Sequence, residues 1–62
     1  MSSPHLTFEL YLTSDAGRPV FEAFTCRSRA ELMPAVRRLI AERDLRSIDV
    51  REMGVPLFTV GR

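Results

Sequence analysis

The sequence predicts an α+β fold in the order ββαββ: a four-stranded antiparallel sheet, spatial order 2-1-3-4, with one helix packed on one face. Three observations carry this. The stretch "LTFELYLT" alternates apolar and polar residues with period two, and "SRAELMPAVRRLI" opens on a helix-capping spacing and continues at helical period. The stretch "SIDVREMGVPLFTV" reads as a closing hairpin around Gly54.

In the first strand Leu6, Phe8, Leu10 and Leu12 share one side, with Thr7, Glu9, Tyr11 and Thr13 on the other. That is a strand with one buried face. "SDAGRP" then supplies turn chemistry, with Asp15 to start it and Gly17 for a residue needing positive φ. A loop of Asp15, Ala16 and Gly17 pairs Ser14 with Arg18. The same register sets Leu12 opposite Val20, Phe8 opposite Phe24, Leu6 opposite Cys26, and Tyr11 opposite Phe21. Glu22 falls on the buried side opposite Leu10. Two readings of it stay open: a bulge turns it outward, or it lies at the rim and meets an arginine.

Ser28 and Glu31 have the S-x-x-E spacing of a capping box. Leu32, Val36, Leu39 and Ile40 follow on one helical face, while Arg37, Arg38 and Glu42 point away. Pro34 interrupts this pattern, so a kinked or tightened first turn is expected there. The helix should end near Arg43 or Asp44, with Leu45 folding back as a plug. If Glu52, Met53 and Gly54 form the last loop, Ile48 and Val50 share a face with Phe58 and Val60. A two-residue loop would put Leu57 in the place of Phe58. A right-handed crossover through the helix places the third strand beside the first. Pro19 and Pro56 then begin the two edge strands, where a missing donor is tolerated.

This order, with "SIDVREMGVPLFTV" closing the chain, resembles small uncharacterised bacterial domain families in which a hairpin, one helix and a second hairpin make a whole short protein. The resemblance implies a fold and brings no activity with it. At 62 residues the chain is one domain, residues 1–62, near the lower size limit for a self-supporting core. Residues 1–4 read as a flexible N-terminal tail.

Composition excludes several functions. With 45% apolar and 27% charged residues the chain is neither disordered nor membrane-spanning in pattern. "MSSPHLTFEL" lacks the basic and apolar regions of a signal peptide, and one cysteine makes no internal disulfide, so a cytoplasmic location is expected. A formal charge of +1 argues against nucleic-acid binding by bulk electrostatics.

Cys26 is the sharpest candidate for chemistry, since a helix start and nearby arginines favour a thiolate. A phosphatase-like loop needs C-x5-R, however, and Leu32 stands at that arginine position. A buried core residue is the stronger expectation. One histidine and one cysteine make no zinc site, so no metal and no cofactor are expected. Glu9, Glu22 and Asp49 are the candidates for an acid–base pair, but exposed strand charges are the plainer reading. Arg27 and Arg29 oppose the helix macrodipole, a conflict that a bound anion would relieve.

One helix covers one side of the sheet. The other side carries Tyr11, Phe21, Ala23 and Leu57, which form the expected interface. These residues point to a non-enzymatic protein-interaction domain, a homodimer or an accessory subunit of a larger protein, associating through the open face or an edge strand. The alternative is an anion- or RNA-binding module using Arg27, Arg29 and the aromatics.

Overall fold

The computed structural model describes residues 5–62, so the tail expected over residues 1–4 lies outside the described residues. The chain forms β1 (Leu6–Thr13), β2 (Val20–Cys26), a 3-10 turn (Arg29–Glu31), α1 (Leu32–Arg43), β3 (Ser47–Glu52) and β4 (Val55–Gly61). The strands make one antiparallel sheet in the order β2-β1-β3-β4. Period-two alternation decides which face is buried. Phe8, Leu10 and Leu12 of β1 meet Ile48 and Val50 of β3 beneath Leu32, Val36 and Ile40 of α1.

The β1–β2 ladder has the expected register, from Leu6 opposite Cys26 to Leu12 opposite Val20. It stops there. Ser14 and Arg18 lie outside the strands, and β2 begins after Pro19 rather than on it. Leu10 faces Glu22 with no bulge, so the rim reading of Glu22 holds: its carboxylate accepts from the Arg43 guanidinium.

The helix start is tightened where Pro34 required it. The 3-10 turn comes first, and α1 begins at Leu32, which makes Pro34 only the third helical residue. The first four N–H groups of a helix have no partner within it, so a proline there forfeits nothing. At the other end Asp44 takes a left-handed conformation (φ 52°, ψ 50°), and the Leu45 N–H donates to the Ile40 carbonyl at 2.9 Å. Leu45 is thereby folded back and buried.

The β3–β4 loop corrects the sequence reading. Glu52 is not in the loop but pairs with Val55, leaving a two-residue turn of Met53 and Gly54. Both have positive φ, 51° and 80°, as a type I′ hairpin requires. That turn alone would place Leu57 opposite Val50. The ladder instead slips by one residue between Val50 and Arg51, so Leu57 becomes the extra residue of a β-bulge. Phe58 then faces Val50 and Val60 faces Ile48, as the core demands. Apolar burial, not the turn, sets the register from Leu57 onward.

An α-helix is about 10 Å across and strands lie ~4.8 Å apart, so α1 covers roughly two strands of the sheet. Those are β1 and β3. On the outer strands Phe24, Phe58 and Val60 are only partly buried, and Val20 is 57% exposed.

Candidate functional site

At the helix start, the capping box forms around Ser28, whose backbone is extended (φ −147°, ψ 158°). The Glu31 carboxylate accepts from the Ser28 N–H at 3.1 Å and from the Arg27 N–H at 3.0 Å. The Glu31 N–H itself donates to the Ser28 carbonyl at 3.1 Å. Two donors that an anion would use are thus taken by the chain's own carboxylate.

Arg29 does not stand free beside them. Its guanidinium donates to Glu52 at 2.9 Å and lies 5.6 Å from the centroid of the Phe8 ring, closing one end of the core. Arg27 is exposed. The two arginines named for an anion site therefore do different things, and they do not converge.

Cys26 is a free cysteine, 5% exposed, packed in the main core cluster. The acid–base candidates lie on two different faces of the sheet. Glu22 is on the helix side with Arg43, whose pKa is raised above its ordinary value by that hydrogen bond and then by the charge of Glu22. Glu9 accepts from the Gly54 N–H at 3.1 Å. Asp49 accepts from Thr59 and from Arg51, each at 3.1 Å. Each carboxylate already has a structural partner. Among the described residues no three His, Cys, Asp or Glu side chains gather as a metal site would need.

On the face away from α1 the expected interface residues separate into two places. Tyr11 and Phe21 are cross-strand neighbours with ring centroids 5.5 Å apart and planes tilted by 57°. Ala23 is exposed next along β2. Leu57 sits in the β4 bulge, beyond β1 and β3, and does not join them. Between them lies polar ground: the Arg51 guanidinium stacks 5.2 Å from the Tyr11 centroid while holding Asp49. Phe21 remains 53% exposed.

The helix side of β2 adds an exposed surface that the sequence reading did not anticipate, although most of its residues were placed by register and helical period. A shallow cleft of about 240 Å³ runs between β2 and α1, lined by Leu10, Glu22, Phe24, Ala35, Arg38 and Leu39. Val20 lies at the end of the same strand face. The one clue available beforehand was width: a single helix cannot shield an outer strand of a four-stranded sheet. Apolar surface thus meets at β2 from both faces of the sheet.

No family model, curated protein or solved structure matches this chain. Among the described residues no helix is long and apolar enough to cross a membrane.

Proposed function

We propose that this chain is a small non-enzymatic interaction domain that self-associates, with the open sheet face and edge around β2 as its contact surface. The observation that carries the reading is the coincidence at one strand of Phe21 and Val20, each more than half exposed and on opposite faces, with Tyr11 packed beside Phe21. Aromatic side chains contribute large apolar areas on burial, and a short domain gains proportionally from covering them. A second copy presents the same surface, so a two-fold contact is self-complementary. The formal charge of +1 opposes such a contact very little.

The anion- or RNA-binding alternative has less support. It would need Arg29 to leave Glu52, and Glu31 to release two backbone donors. Sedimentation equilibrium at low and high salt separates the two. A dimer that persists at high salt fits self-association. Monomeric protein that binds polyphosphate or RNA with steep salt dependence fits the alternative and sinks the proposal.

A further inference from the structure

The two sheet edges are protected unequally. The β4 edge carries Pro56 and the Leu57 bulge, both devices that blunt strand addition. The β2 edge, Val20–Cys26, has neither: its seven residues run in unbroken register with β1, contain no proline, and hold one charge, Glu22. An edge strand presents a row of unpaired N–H and C=O groups, and another extended strand is the chemistry that satisfies them. The side chains of a neighbouring strand also flank those of β2 on both faces at once, which neither a helix on one side nor a sheet stacked on the other would do.

We infer that the self-association proposed above, on which this inference rests, is edge pairing: β2 of one copy lies antiparallel to β2 of a second about a two-fold axis through Ala23. The two sheets then merge into one. Charge argues against one register and favours this one. An axis through Glu22 would set two carboxylates directly opposite, which is destabilising. An axis through Ala23 sets Glu22 opposite Phe24 of the other copy, and Phe21 opposite Thr25. The aromatic–β-branched contact is favourable in sheets. Phe24 shares its cleft with Arg38, which has no acidic partner among the described residues. Glu22 of the second copy, held in its own chain by Arg43, then lies between that guanidinium and the unpaired one of Arg38, and the symmetry makes the contact twice. Ala23, at the axis, is small enough for close approach.

Cysteine cross-linking tests this directly. Directly opposed residues of antiparallel strands have Cα atoms about 4.5–5.5 Å apart, inside the roughly 4.4–6.8 Å range of disulfides. Ala23→Cys, treated with oxidised glutathione, should run as a covalent dimer on a denaturing gel without reductant. Thr25→Cys should not, because its two copies are offset by about four residues, ~13 Å along the strands. The unmodified protein, with Cys26 buried, is the control. Cross-linking at Thr25 instead of Ala23 overturns the register. A dimer by sedimentation that cross-links at neither position overturns edge pairing and leaves self-association standing. A monomer by sedimentation overturns both.

Discussion

Tyr11 and Phe21 pack ring against ring across the β1–β2 ladder, tilted by 57°, on the face that α1 leaves open. Such a pair is worth about 0.5–1.5 kcal/mol beyond its buried area, yet more than half of Phe21 still meets solvent. The pair is well formed and poorly covered. Placing a charge there should spare the fold and damage the contact. Phe21→Arg should keep the helical circular-dichroism signal while shifting the sedimentation coefficient to that of a monomer. Loss of helical signal in this variant would mean that Phe21 supports the fold itself.

At the helix start, Glu31 serves two backbone donors and so carries more of the cap than Ser28. Glu31→Ala should lower unfolding free energy by about 0.5–2 kcal/mol, at least as much as Ser28→Ala. Urea denaturation of both variants provides the check. A larger loss for Ser28 would place the cap on its hydroxyl.

Met53 sits at φ 51°, where an L-residue with a side chain is strained, and it is 90% exposed, so it packs against little. Asparagine tolerates this conformation and favours the type I′ turn when followed by glycine. Met53→Asn should therefore stabilise the protein by about 0.5–1 kcal/mol. Gly54→Ala, at φ 80°, should destabilise it by a similar amount. Thermal melts of the two variants should move in opposite directions.

The buried thiol makes a prediction in time as well as energy. Cys26 should react with a thiol reagent slowly in native protein and quickly in urea. Cys26→Ala should cost about 1 kcal/mol through the small void it leaves. Fast native labelling would remove Cys26 from the core.

Much of this architecture was legible because strand periodicity is strict. From Phe8 to Leu12 the even-numbered residues of β1 are buried and the odd-numbered ones are not, and that parity carried the register through Tyr11 and Phe21. What escaped depends on distance in sequence. Arg29 and Glu52 are 23 residues apart, and no local pattern announces their pairing. The Leu57 bulge escaped for another reason: "EMGV" lacks the asparagine or aspartate that marks a type I′ turn, so the loop length stayed open between two registers, and the chain uses both, one on each side of the bulge. Val20 had the parity of a core residue, but parity assigns a face and does not say how far one helix reaches across it.

If a second copy of the chain covers the apolar surface around β2, the mass in solution must depend on concentration. Multi-angle light scattering on the unmodified protein, across a concentration series up to tens of micromolar, is the decisive measurement. The weight-average mass should rise to twice that of the chain, and fall back to the chain mass for Phe21→Arg. A mass that stays at one chain throughout the series would leave the β2 surface uncovered and self-association refuted.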